Sequence, residues 1–190
     1  MSIKEESPLL EPDFLRALLD AREERWQRRL TLAELGTVLT LTLNLPGPDK
    51  RLPRWMEFHS ATRKDVLREL DSAGFAINST VSIVGAAGPE DHFLFRPSSL
   101  SEARALKRLA VAFEEDREEN HRGRRLVDLD VMAPGGEAVE RIFFGLPPRR
   151  CLCCSRPAKE CAALVRHSLD EVLAAAERLL ELERLQNSGF

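Results

Sequence analysis

Asp128 and Asp130 stand at i and i+2 in the run LVDLDVM, which alternates apolar and acidic residues. That alternation reads as a strand, so both carboxylates leave one face, with Cα atoms about 6 to 7 Å apart. Two carboxylates so placed suit Mg²⁺, which takes a few carboxylate oxygens together with substrate phosphates. It supports phosphoryl or nucleotidyl transfer by neutralising a departing pyrophosphate. His121, Arg122, Arg124 and Arg125 lie just upstream and offer cationic donors to the same phosphates. The alternative is a plain half-buried strand, with Val127, Leu129 and Val131 inward and both aspartates in water.

A second constellation is Cys151, Cys154, Cys161 and His167. The first two have C-x-x-C spacing, and the set can supply three thiolates and an imidazole to tetrahedral Zn²⁺. A loop packing semi-buried thiols is the competing reading. His167 directly precedes Ser168, a helix cap. A third stretch, Asn44-Leu45-Pro46-Gly47-Pro48-Asp49-Lys50, is a strand end passing into a stiff loop that could present backbone N–H groups, with Gly47 at the bend, and the Lys50 ammonium to an anion. A simple Pro-Gly turn would look the same.

Several elements must position these residues. Apolar spacing from Asp13 to about Leu30 predicts an amphipathic helix with Phe14, Leu15, Leu18, Leu19, Ala21, Trp26 and Leu30 inward. Residues 37–45 read as a strand, 61–73 as a helix closed by Gly74, and 78–85 with 93–96 as a hairpin. Ser99 and Glu102 form a capping box opening a helix to about Glu119. Residues 125–132 and 139–144 read as paired strands, and Ser168 with Glu171 caps a last helix. The order β, α, β, β, α, β predicts an α+β fold with a split βαβ, ferredoxin-like or palm-like sheet flanked by N- and C-terminal helices. Residues 1–12 read as a flexible lead-in and 13–190 as a single domain, with a Cys- and Arg-rich loop at 145–167.

The chain has 190 residues and a formal charge of −3. Residues 121–166 hold nine Arg or Lys against five Asp or Glu, a balance of +4 that leaves −7 for the remainder. This points to a segment, including Arg125, Arg149 and Arg150, that meets phosphates or an acidic partner, in a protein too acidic to bind nucleic acid nonspecifically. No apolar stretch is long enough to span a bilayer, and the first residues lack a signal-peptide core. Cysteines confined to residues 151–161 do not form a secreted disulfide framework, so the expected compartment is the cytoplasm.

The segments ALLDAREERWQRR, LTLNLPGPDK, AAGPED, RLVDLDV, GLPPRRCLCC and CAALVRHSLDEV, in this order, resemble the apo-citrate lyase phosphoribosyl-dephospho-CoA transferases, or citrate lyase holo-acyl-carrier-protein synthases. The resemblance implies a nucleotidyltransferase. It would move phosphoribosyl-dephospho-CoA from triphosphoribosyl-dephospho-CoA to a serine of the citrate lyase acyl carrier protein, the gamma subunit, and release pyrophosphate. It makes Asp128 and Asp130 magnesium ligands, Arg125 a phosphate contact, and Asn44 and Lys50 parts of the substrate loop. Two departures stand out: the glycine that the family places directly before the arginine preceding the D-x-D strand is Gly123 here, one position early, and Ala163-Leu164-Val165 replaces a basic run. A carrier synthase serving malonate decarboxylase is the nearest alternative, although LPPRRCLCC favours the citrate lyase branch. A noncatalytic zinc clip that docks an acidic protein is the other.

Overall fold

The computed structural model describes residues 12–47, 50–96, 99–115 and 122–187. Helix α1 (Pro12–Ala33) leads to strand β1 (Thr37–Leu43), then α2 (Pro53–Ser72), β2 (Ser79–Gly85), β3 (Gly88–Phe95), α3 (Leu100–Glu114), β4 (Val127–Met132), α4 (Ala158–Ala163) and α5 (Leu169–Asn187). The strands form one sheet in the order β2-β3-β1-β4, with antiparallel neighbours throughout. β1 and β2 therefore point the same way with β3 between them, which is the expected split βαβ arrangement. No helix among the described residues is long and apolar enough to cross a membrane.

Alternation in β1 sends Leu39, Leu41 and Leu43 to one face, where they join Phe93, Phe95, Val127, Leu129 and Val131. Trp55, Phe58, Val66 and Leu70 of α2, Ala103, Leu106, Ala110 and Phe113 of α3, and Ala176, Leu179 and Leu180 of α5 complete this core. The opposite face is different. Val38, Leu94 and Met132 pack there with Ala33 in a small apolar cluster that Leu30 and Leu32 join, and the positions between the strand residues are Thr40, Thr42, His92, Asp128 and Asp130. Helix α1 crosses that face, from Ala21 near Gly85 to the bond that the Gly135 N–H donates to the Ala33 carbonyl at 3.1 Å.

Both capping boxes form. Ser99 and Glu102 cap α3 reciprocally, and Ser168 and Glu171 do so before α5. Other expectations are corrected. α2 opens at Pro53 rather than near 61, because proline suits the first turn and Trp55 and Phe58 extend the buried stripe upstream. The hairpin turns at Ala86-Ala87, and the Gly-Pro-Glu-Asp run expected as a turn begins β3. Residues 139–144 do not form a strand. Arg141–Phe144 is a 3₁₀ turn, and pairing beyond β4 is a lone bridge from Met132 to Ala138. The expected lead-in lies outside the described residues except for Pro12, which opens α1, and the expected end of the third helix at Glu119 also lies outside them.

The face of α1 is also corrected. Leu15, Leu19 and Trp26 are 52%, 54% and 41% exposed, while the side chains of Arg25, Arg28 and Arg29 are 16%, 25% and 12% exposed. The inward stripe runs Phe14, Leu18, Ala21, Arg25, Arg28: apolar at its start and cationic at its end. The sheet beneath it carries carboxylates, and buried charge is tolerated only when paired.

Candidate active site

The sheet register sets Thr40 opposite both His92 and Asp130, and Thr42 opposite Asp128. On this row α1 lays its arginines. Arg29 contacts Asp130 Oδ2 at 2.6 Å and donates from Nε to Thr40 Oγ1 at 3.0 Å. Thr40 Oγ1 lies 3.0 Å from His92 Nδ1, and His92 Nε2 lies 3.2 Å from Glu90 Oε1. Glu90 accepts from both Arg25 and Arg28. Burial raises the Glu90 pKa, but its bonds to His92 and Arg25 outweigh this and hold it below the ordinary value. Asp130 is likewise held low despite burial, because Arg29 sits against it.

At the end of the row opens a cleft of about 350 Å³, lined by Arg22, Arg25, Trp26, Arg29, Thr42, Leu43, Asn44, Leu45, Lys50 and Asp128. Four cationic side chains face one carboxylate there. Burial, then the Arg22 and Arg25 charges, lower the Lys50 pKa to about 8. Lys50 reaches its place because Gly88, at φ +92°, has no side chain; a Cβ there would lie 2.7 Å from that of Lys50. A lysine whose charge is disfavoured by burial and by two neighbouring arginines suits an anion, since a bound polyanion would relieve that repulsion.

Asp128 is governed from the outer edge of β4, which no further strand among the described residues covers. Its backbone groups are met by side chains instead: Lys107 Nζ donates to the Leu129 carbonyl at 2.8 Å, the Leu129 N–H donates to Glu114 at 2.6 Å, and Arg149 donates to the Val127 carbonyl at 2.9 Å. Arg149 also bridges Glu114 at 2.7 Å and Asp128 Oδ1 at 2.8 Å. Burial and the neighbouring Asp130 charge still raise the Asp128 pKa, with Arg149 opposing them. The structure thus pushes two carboxylates on one face in opposite directions. Arg149 meets Asp128 at Oδ1 and Arg29 meets Asp130 at Oδ2, and two carboxylates on one face are donors of the kind that suit a hard cation such as Mg²⁺.

The other expected site residues divide. Asn44 and Lys50 line the cleft with Asp128. Gly47 bends the chain at φ +75° beside Leu173 and does not line it, while Pro48 and Asp49 of the same loop lie outside the described residues, as does His121. Arg124 stacks over the Phe113 ring at 4.2 Å, and Arg125 donates to the Cys151 carbonyl. Arg150 is exposed and bridges to Pro157. The donor atoms of Cys151, Cys154, Cys161 and His167 all lie within 4.8 Å of one another, a cluster that could hold a metal ion. Gly123 approaches α5 so closely that a Cβ would lie 2.7 Å from that of Glu183.

Arg22, Arg25, Arg29 and Trp26 were missed as site residues by sequence reasoning. Their signal was present: arginines at i, i+3 and i+7 share one helical face. The basic segment after residue 121 drew attention away from them.

The family model described as apo-citrate lyase phosphoribosyl-dephospho-CoA transferase matches residues 14–182. A protein of that name from Citrobacter koseri is 33% identical over 162 residues, 84% of this chain and 81% of the relative. Namesakes from Escherichia coli and Shigella boydii are 34% identical over 168 residues, 86% of each chain.

Proposed function

Because this chain belongs to the apo-citrate lyase phosphoribosyl-dephospho-CoA transferase family, we propose that it takes triphosphoribosyl-dephospho-CoA and joins its phosphoribosyl-dephospho-CoA group to a serine of the citrate lyase gamma subunit. The serine oxygen forms a bond to the phosphorus next to ribose, and the bond from that phosphorus to pyrophosphate breaks. The observation that carries this reading is the cleft in which Arg22, Arg25, Arg29 and Lys50 surround an open edge beside Asp128. A triphosphate is the polyanion that four converging cations suit, and positioned cations act most strongly where charge develops on a leaving group. Mg²⁺ held by Asp128 and Asp130 would supply further charge neutralisation at the pyrophosphate.

The chain's own residues do the positioning. Arg29 fixes Asp130 and Thr40 in one orientation, Arg149 fixes Asp128, and Glu90 holds Arg25 over the cleft. Trp26 offers a flat apolar plane among the cleft residues, suited to an adenine ring. Zinc suits the Cys151, Cys154, Cys161 and His167 cluster, since thiolate and imidazole are its preferred donors. The four free thiols accord with a reducing, cytoplasmic setting. The test is to incubate the protein with triphosphoribosyl-dephospho-CoA, Mg²⁺ and apo carrier, then weigh the carrier. A mass gain equal to the prosthetic group, with stoichiometric pyrophosphate, is expected; an unchanged carrier refutes the assignment.

A further inference from the structure

The Cys/His cluster lies apart from the cleft lining, yet its backbone connections lead to Asp128. Resting on the reading of the cleft given above, we propose that zinc on Cys151, Cys154, Cys161 and His167 is the fastening that seats Arg149 against Asp128 and Glu114, so that the metal acts on the active site through a positioning arginine.

The donor atoms lie within 4.8 Å of one another, and two of their separations match those of a tetrahedral site. Cys154 Sγ lies 3.5 Å from Cys161 Sγ and 3.4 Å from His167 Nε2. Zinc–sulfur bonds of about 2.3 Å and zinc–nitrogen bonds of about 2.0 Å place tetrahedral donors roughly 3.5 to 3.8 Å apart. The donors come from three pieces of chain: the loop after Arg149, helix α4, and the approach to α5. A ligand shared by three such pieces is what holds a loop of this kind in one shape.

An independent sign is Val165, which lies at φ 45° and is 79% exposed. This left-handed conformation is disfavoured for a β-branched residue, and glycine ordinarily fills such a helix-ending position. The exposed Val165 side chain is too solvent-facing to offset that cost by packing. What the turn achieves is to end α4, with the Arg166 N–H donating to the Cys161 carbonyl at 3.0 Å, and to bring His167 back onto Cys154. Strain persists where the surroundings fix it, and a shared metal would do so.

The path from cluster to cleft consists of direct bonds. The Cys151 N–H donates to the Arg156 carbonyl at 2.8 Å, and the Ala158 N–H, opening the helix that carries Cys161, donates to the Arg149 carbonyl at 2.8 Å. The Cys151 carbonyl accepts from Arg125. The main chain of Arg149 is therefore tied by one hydrogen bond to the helix that carries Cys161, while its side chain reaches Val127, Glu114 and Asp128 on the other side.

The experiment measures zinc content of the reduced protein, the turnover of carrier modification, and the Kd for magnesium tripolyphosphate, a probe that needs no carrier. Wild type is expected to hold one zinc per chain and to show tetrahedral thiolate bands when zinc is exchanged for cobalt. His167→Cys should keep zinc and both functional readouts. His167→Ala and Cys161→Ser should lose zinc and weaken turnover and tripolyphosphate binding by roughly 10- to 100-fold, the range for groups that orient a metal ligand. Arg149→Ala should lose as much, and adding Cys161→Ser to it should cost nothing further. Stripping zinc from wild type with a chelator and restoring it should reproduce the loss and recovery without relying on any variant's folding. Absence of zinc with four titratable thiols, zinc loss that leaves both readouts intact, or additive losses in the double variant would each overturn the proposal. A wild type that binds zinc and tripolyphosphate as expected but modifies no carrier would count against the transferase assignment alone.

Discussion

Lys50 sits among Arg22 and Arg25 with its pKa lowered to about 8. A polyanion in the cleft stabilises the charged ammonium, so binding must raise that pKa and draw a proton from solution at pH 8 to 9. Calorimetry of magnesium tripolyphosphate binding in buffers of different ionisation enthalpy should show this uptake, and Lys50→Gln should abolish it. The same shift has a stability sign. Between about 8 and the ordinary 10.5 the unfolded chain binds more protons at Lys50 than the folded chain, so this residue makes stability rise with pH across that window. Denaturant melts at pH 8 and 10 should show a smaller rise for Lys50→Met than for wild type. Arg29 belongs to the same scale. Its replacement by Ala frees Asp130 from the cation that holds its pKa down, so the acid limb of the rate profile should move to higher pH.

At the scale of elements, β4 is an edge strand whose exposed side is closed by side chains rather than by another strand. Glu114 is the hub, accepting from the Leu129 N–H and from both Arg141 and Arg149 while 4% exposed. Glu114→Ala removes one partner of a buried ionic network and is expected to cost about 3 to 5 kcal/mol in denaturant unfolding, with Asp128 losing its arginine brace. α5 meets the 3₁₀ turn Arg122–Leu126, which precedes β4, at Gly123, where a Cβ would overlap Glu183. Gly123→Ala should therefore cost about 1 to 3 kcal/mol by overpacking, read as a lower melting temperature. These elements were unequally legible. The capping boxes at Ser99 and Ser168 and the alternation of β1 marked their positions because the interactions are local. The strand expected at 139–144 failed because an apolar run has no partner of its own; pairing past Met132 depended on the turn at 133–136, which α1 occupies.

Across the whole molecule, a chain of net charge −3 concentrates cations at one cleft. An anionic ligand would meet there a local field that the total charge hides, and salt screens such a field over about 10 Å at 0.1 M. The apparent Michaelis constant for the nucleotide should rise with ionic strength. Arg22→Gln, at an exposed position on the cleft wall, should raise that constant at low salt and flatten its salt dependence, whereas Arg150→Gln, which does not line the cleft, should change neither.

The sequence by itself determined the order of elements and hence the split sheet, because hydrophobic periodicity and capping residues are encoded within a few residues of where they act. It also brought Asp128 and Asp130 to one face and grouped Cys151, Cys154, Cys161 and His167, since i, i+2 alternation and short loops leave little geometric freedom. Only the tertiary structure decided which cations meet those carboxylates. Arg25, Arg28 and Arg29 are surface arginines on a helical wheel until α1 crosses a sheet face bearing Glu90, Asp128 and Asp130. Burial is tolerable there through pairing between segments about 60 to 100 residues apart along the chain, a long-range electrostatic fit that no local spacing specifies.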